Sequence, residues 1–222
     1  MQPYVVVDRK PAPDGTMLEL VRHGDSWIIR VGGHVLMSSR MHGSEEELAR
    51  LGFAAVAPAS AEHVLVGGLG LGFTLRAVLE QATPSAAVVV SELVPAIHEW
   101  NLGPLGPLAG NPLSDPRVTV ALGSVATELA RPRRPYDLVL LDVDNGPAKV
   151  AHAENDGLYG ERGSRTALAA LAPGGALCVW SATSDPRYVR TLERAGFRGV
   201  TEHAVRAHGK TGARHFVFVA KK

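Results

Sequence analysis

Two stretches of the chain place residue types at spacings that can do chemistry. The first is Val64-Leu65-Val66-Gly67-Gly68-Leu69-Gly70-Leu71-Gly72, an apolar run that breaks into glycines before a helical segment. Glycine has no Cβ and tolerates positive φ, so the backbone at Gly67, Gly68, Gly70 and Gly72 can come close to a ligand. Without a ligand, the same motif is simply a tight strand-to-helix turn. About twenty residues on, where such folds place a ribose-binding acid, Glu92 stands at the end of the apolar run from Ala87 to Val90. Its carboxylate can accept hydrogen bonds from both ribose hydroxyls, the alternative being a solvated strand end. The glycines do not follow G-x-G-x-x-G, which fits a nucleoside without a pyrophosphate better than a dinucleotide.

The second stretch is Tyr136-Asp137-Leu138-Val139-Leu140-Leu141-Asp142-Val143-Asp144-Asn145-Gly146-Pro147. If the apolar run is a strand, Asp142 emerges at the carboxyl edge of the sheet, across from the glycine turn. There it can orient or deprotonate an amine nucleophile. Asp144 and Asn145 follow in the loop as substrate contacts or as an Asx turn, and Gly146-Pro147 fixes its path. Nine histidines raise the question of a metal, but their spacing forms no ligand motif, so none is expected. Ser181 lies outside any nucleophile-elbow motif, which disfavours a hydrolase.

These residues need a scaffold, and from His63 onward the pattern supplies one. Short β-branched runs at Val64–Val66, Ala87–Val90, Val118–Val120, Leu138–Leu141 and Ala176–Trp180 alternate with helical stretches, the mark of βαβ units. Their near-continuous apolar character predicts parallel strands covered on both faces. Helices are expected from Thr74 to Ala82 and from Ser164 to Leu171, the latter stopped by Pro173-Gly174-Gly175. A helix over Tyr188 to Ala195 and two strands, Val200 to Val205 and His215 to Val219, close the chain as a hairpin. Trp100, at the end of the helix after Glu92, is read as core. The Gly- and Pro-rich segment from Leu102 to Pro116 is expected as a loop.

Before this domain, Thr16 to Ser39 alternates apolar and polar residues around the turn signals His23-Gly24-Asp25 and Gly32-Gly33, predicting a small antiparallel β unit. Ser44 followed by Glu45, Glu46 and Glu47 resembles a capped helix start with acids in its first turn, ending near Gly52. The expected division is a β unit with its linking helix over 1–55 and a Rossmann-like domain over 56–222.

The charges nearly cancel, 23 Lys plus Arg against 22 Asp plus Glu, so no global field favours a nucleic acid or an anionic membrane. No apolar run reaches the length of a membrane span, and Val5-Val6-Val7 is too short for a signal peptide; a cytoplasmic protein is expected. The single cysteine, Cys178, sits in an apolar run and is expected to be a buried, inert thiol.

The order of glycine turn, Glu92, Tyr136 to Asp142, Gly146-Pro147 and Leu171-Ala172-Pro173-Gly174-Gly175 resembles spermidine synthase and its relatives, the aminopropyltransferases. The stretch from Trp27 to Ser39 resembles that family's amino-terminal β unit. The resemblance implies an α/β, Rossmann-like fold with an S-adenosylmethionine-dependent methyltransferase-type sheet. It also implies decarboxylated S-adenosylmethionine as aminopropyl donor, a small-molecule amine as acceptor, and a homodimer joined through the β unit. Carried over by position, Gly67, Gly68, Gly70 and Gly72 line the nucleoside, Glu92 holds the ribose and Asp142 is the base.

The chain departs from the family pattern at several positions. Gly123-Ser124 stands where relatives have a Gly-Asp pair at the adenine, making Ser124 the nucleoside contact. Leu71 stands where relatives often have Asp, and Asp144-Asn145 falls where they carry a second acid. Met41-His42-Gly43-Ser44-Glu45 replaces a Tyr-His pair. His152, Glu154, Asp156 and Tyr159 lie in the stretch expected to border the acceptor, either as contacts or as loop positions. A methyltransferase using intact S-adenosylmethionine, and a noncatalytic nucleoside-binding homologue, remain alternatives on the same fold.

Overall fold

The computed structural model describes residues 2–56, 61–143, 146–147, 157–208 and 211–222. The chain opens with an antiparallel sheet of four strands in sequential order, β1 (Tyr4–Pro11), β2 (Met17–His23), β3 (Ser26–Val31) and β4 (His34–Ser38). This β unit starts earlier than the alternation at Thr16 predicts, because Val5 and Val6 pair with Arg22 and Val21 of β2. The β1 side chains from Tyr4 to Val7 are exposed on both faces, so the strand has no inside-outside pattern to read.

The larger sheet has seven strands in the order β10-β11-β9-β8-β5-β6-β7. Its parallel centre consists of β5 (His63–Gly67), β6 (Ala87–Glu92), β7 (Val118–Leu122), β8 (Tyr136–Leu141) and β9 (Leu171–Ser181). The hairpin of β10 (Arg198–His208) and β11 (Thr211–Lys221) joins it antiparallel to β9. Both faces of the centre are covered, and consecutive residues enter opposite cores. Val64, Val66, Leu138 and Leu140 pack with the first sheet and with α1 (Gly43–Ala55), α2 (Phe73–Gln81) and α3 (Pro95–Leu102). Leu65, Val139 and Leu141 pack with α4 (Val125–Ala130), α5 (Glu161–Ala170) and α6 (Pro186–Ala195). Truncating a fully buried residue such as Leu65 to Ala would cost about 2–5 kcal/mol. The first core runs without a break from Leu20 and Ile29 of the small sheet to Leu48 of α1 and Val66 of β5.

Helix α1 does not stop near Gly52 but continues to Ala55. A Cβ at residue 52 would lie 2.7 Å from Leu140 Cδ2 and 3.2 Å from Leu138 Cδ1, so glycine lets the helix lie close against β8. The roughly 1 kcal/mol that glycine costs a helix interior is offset by that approach. Seven residues back along the axis, a rise of about 10 Å, is Glu45. Two residues forward of Leu140 and four forward of Leu138, about 7 and 13 Å along the strand direction, is Asp142. The close helix-strand packing therefore brings these two carboxylates to the same edge of the sheet.

Other expectations changed at the level of local structure. Helix α5 ends at Ala170 and β9 starts at once, taking Pro173-Gly174-Gly175 into its irregular first half. The segment after α3 folds into two 3-10 turns, Gly106–Ala109 and Pro112–Ser114, anchored by the fully buried Leu105. Trp100 is buried in the first core, with its Nε1 donating to Asp8 Oδ2 at 2.8 Å. Cys178 is fully buried in β9 and burial pushes its thiol up to about 12, which removes it as a nucleophile at neutral pH.

Candidate active site

The glycine turn links β5 to α2 at the carboxyl edge of the sheet. Gly68, Gly70 and Gly72 adopt φ of 92°, 52° and 85°, which side chains rarely adopt. Gly68 is also held by a close approach: a Cβ there would lie 2.2 Å from the backbone oxygen of Asp142. Across the same contact, Asp142 N donates to Gly67 O at 2.8 Å. The turn and the candidate base are thus joined directly through the backbone. Gly70 is covered by Met37 of β4, whose sulfur would lie 3.3 Å from a Cβ at that position, so the small sheet forms one wall of the site.

Glu92, at the end of β6, is buried. Its Oε2 accepts from Leu69 N at 2.9 Å and its Oε1 from Val94 N at 2.8 Å. It holds the middle of the glycine turn and its own loop. Ser91 Oγ donates to Gly123 O at 3.0 Å and Gly123 N donates to Glu92 O at 2.8 Å, which sets the β7–α4 turn beside Glu92. Ser124 follows as the N-cap of α4, its Oγ accepting from Ala126 N at 3.3 Å. Gly67, Gly68, Gly70, Gly72, Glu92 and Ser124 thus occupy three neighbouring strand ends.

Asn101 escaped the sequence reading. Its Nδ2 donates to Gly70 O at 2.9 Å and to Ile97 O at 2.8 Å, fixing the turn from beneath, and the residue is buried. The available signal was an amide four residues after Ile97, on the side of the helix that carries its apolar residues.

Asp142 sits just past β8. Thr74, buried in the first turn of α2, donates its hydroxyl to Asp142 Oδ2 at 2.5 Å. Burial raises the Asp142 carboxyl to about 6, with the Thr74 hydrogen bond opposing the shift. Glu45 faces it from α1 and is raised to about 7 by burial and then by repulsion from Asp142, against the bond from Ser44. Two carboxylates in a partly desolvated site titrate as a pair, and this pair takes up its first proton near neutral pH.

The expectation that Ser44 caps the helix and that the following acids merely line its first turn is therefore corrected. The residue at the N-cap is His42, which makes no side-chain capping bond, and Ser44 lies inside the helix with its hydroxyl donating to Glu45 Oε2 at 2.6 Å. The neighbouring Glu46 pairs with Arg76 of α2 and with His42, whose ring stacks on Phe73.

Tyr159 is buried in the second core, edge-on to Tyr188, and its hydroxyl donates to Val143 O at 2.8 Å. It supports the segment after Asp142 from beneath the sheet edge rather than joining the carboxylate pair. Asp144, Asn145, His152, Glu154 and Asp156 lie outside the described residues. Among the described residues, no group of three His, Cys, Asp or Glu side chains is placed to hold a metal ion.

A seven-stranded sheet with a closing antiparallel hairpin, a glycine turn after β5 and a small amino-terminal sheet together define an α/β fold of the methyltransferase-like class. More particularly, the chain has a spermidine synthase-like fold. A crystal structure of spermidine synthase in complex with the transition state analogue AdoDATO matches with a TM-score of 0.75 at 17% identity, over 98% of this chain and 72% of that one. Spermidine synthase from Thermotoga maritima matches with a TM-score of 0.74 at 18% identity, over the same shares. No family model and no curated protein sequence matches the chain. No helix among the described residues is long and apolar enough to cross a membrane.

Proposed function

We propose that the protein is a transferase that moves the aminopropyl group of decarboxylated S-adenosylmethionine to a small-molecule amine. The carrying observation is the position of Asp142, joined through the backbone to the glycine turn and paired with Glu45 at the same sheet edge. In this reading the nucleoside lies over Gly67 to Gly72 with its ribose on Glu92 and its base near Ser124. The amine nitrogen attacks the carbon bonded to the sulfonium sulfur; a C–N bond forms, the C–S bond breaks and its electrons stay on sulfur. The product nucleoside is a neutral thioether, and the proton released by the amine goes to Asp142. A base that titrates near the working pH suits that role.

The same acidic pair supports a decarboxylated donor and a cationic acceptor. An intact donor would bring a third carboxylate toward the pair, a repulsion of roughly 1–4 kcal/mol at about 4 Å between aqueous and protein-surface dielectric. Asp144 and Asn145 complete the acceptor side in this reading. Tyr159 contributes by fixing Val143, and no metal takes part. The small sheet is read as the dimer surface: β1 is an edge strand and exposes Tyr4, Val5, Val6 and Val7.

The test is formation of the thioether nucleoside from the decarboxylated donor with a panel of mono- and diamines. Asp142→Asn should reduce it by about 10²-fold or more. Methylated amine from the intact donor would make the protein a methyltransferase instead, and no product from either donor would leave only a binding role.

A further inference from the structure

Behind the carboxylate pair, Ser44 and His215 extend Glu45 into a hydrogen-bonded line that the transfer step does not use. Ser44 Oγ donates to Glu45 Oε2 at 2.6 Å, and His215 Nδ1 lies 3.0 Å from the same Ser44 Oγ. His215 belongs to β11, so the line runs from the first turn of α1 to the closing hairpin. Its ring is half-buried and held edge-on by Trp180 at 4.8 Å. Burial keeps the imidazole below its ordinary value, which favours its neutral form.

A serine hydroxyl has one hydrogen, and this fixes what its two neighbours can do. When Glu45 is ionised, Ser44 donates to Glu45, and His215 must donate from Nδ1–H to Ser44. When Glu45 holds the proton, it donates to Ser44, Ser44 donates to Nδ1, and the neutral imidazole carries its hydrogen on Nε2. The two arrangements differ by one proton.

We propose that Ser44 and His215 form a proton path between the Asp142–Glu45 pair and the protein surface. In one passage the Glu45 proton moves to Ser44 Oγ, the Ser44 hydrogen moves to His215 Nδ1, and the Nε2 hydrogen leaves to water. Glu45 is left ionised and the imidazole neutral. The path deepens the transfer reading and rests on it for the source of the proton, since each turnover would deposit one on the pair.

On α1, Glu46 faces Glu45 but is paired with Arg76 of α2 and with His42. Beyond β8, the facing group is Asp142. On β9 it is the uncharged Trp180, and on β10 the residue opposite His215 is Val205. Arg214, adjacent on β11, is turned over Phe216. The pair is thus the titrating group to which His215 is linked.

Imidazole nitrogen NMR on the full chain between pH 5 and 9 tests this without substrate. His215 should be the Nδ1–H tautomer at high pH and shift to Nε2–H as the pair protonates. Ser44→Ala should uncouple the ring from the pair. Glu45→Gln, which accepts from Ser44 at every pH, should hold the Nδ1–H form; amide spectra of both variants confirm folding. A tautomer that is independent of pH in the native protein, or that shifts equally in both variants, overturns the proposal. In turnover at pH 7, His215→Ala should slow product formation about ten-fold, less than the roughly 10²–10⁴-fold of a general base itself, with recovery in added imidazole. A tautomer switch with no turnover on any donor and amine would sink the transfer reading while leaving the path. Turnover without the switch would sink the path alone.

Discussion

Replacing Glu45 by Gln should stabilise the protein by an amount that grows as pH rises from about 4.5 to 7 and is complete above that window. The Glu45 carboxyl is raised from 4.5 to about 7 in the folded protein, first by burial and then by Asp142. An acid whose folded value lies above its unfolded value binds more protons when folded, so stability is greatest at low pH and falls as pH rises from about 4.5 to 7. That gap, at about 1.4 kcal/mol per pH unit, comes to about 3.5 kcal/mol in the ionised range, which the partial exposure of Glu45 brings to about 3 kcal/mol. Gln keeps the shape and still accepts from Ser44 but cannot ionise, so the variant avoids that cost. Urea unfolding at pH 8 should show the variant more stable by about 3 kcal/mol, a midpoint shift of about 1 M for a slope at the upper end of the usual range. At pH 3.5 the difference should vanish, because Glu45 is then protonated in both the folded and the unfolded chain. Equal stability at pH 8, or the same gain at both pH values, would refute the claim that the pair is held close at a desolvated edge. The stabilised variant should at the same time turn over more slowly, as expected where function stores unfavourable charge.

Two further substitutions probe the groups that hold the site. Thr74→Val removes the hydrogen bond that lowers the Asp142 carboxyl, so the acid limb of the pH–rate profile should move up by about one unit; a limb that stays put or moves down contradicts the assignment. Asn101→Ala leaves the part-buried Gly70 carbonyl without its amide donor, which should cost about 1 kcal/mol of stability and weaken nucleoside binding about ten-fold. Unfolding and titration calorimetry read both effects, and unchanged donor affinity would mean that the turn does not carry the nucleoside.

Much of the scaffold was legible in the residues because two physical rules left plain marks. Strands buried on both faces must be apolar throughout, and Val64–Val66 and Leu138–Leu141 divide their side chains between two cores as such a run requires. Positive φ at Gly68, Gly70 and Gly72 demands the residue type that stands there. What the chain concealed depended on tertiary placement. The exposed valines of β1 carry no period, and only their pairing with β2 identifies them as a strand. Glu45 obeys the local rule for acids at a helix start, so nothing nearby in sequence marks it as the partner of Asp142. The clue was Gly52, which looks like a helix stop but is the point where α1 touches β8 and aims its first turn at the sheet edge. Ser44 and His215 are far apart in the chain, and only the return of the closing hairpin joins them.

The most direct test of the account is calorimetric titration of the protein with decarboxylated and intact S-adenosylmethionine in parallel. The acidic pair beside the glycine turn predicts that the decarboxylated donor binds at least about ten-fold more tightly, the equivalent of roughly 1.4 kcal/mol. Tighter binding of the intact donor would contradict the aminopropyl reading, and binding of neither would contradict the nucleoside site itself.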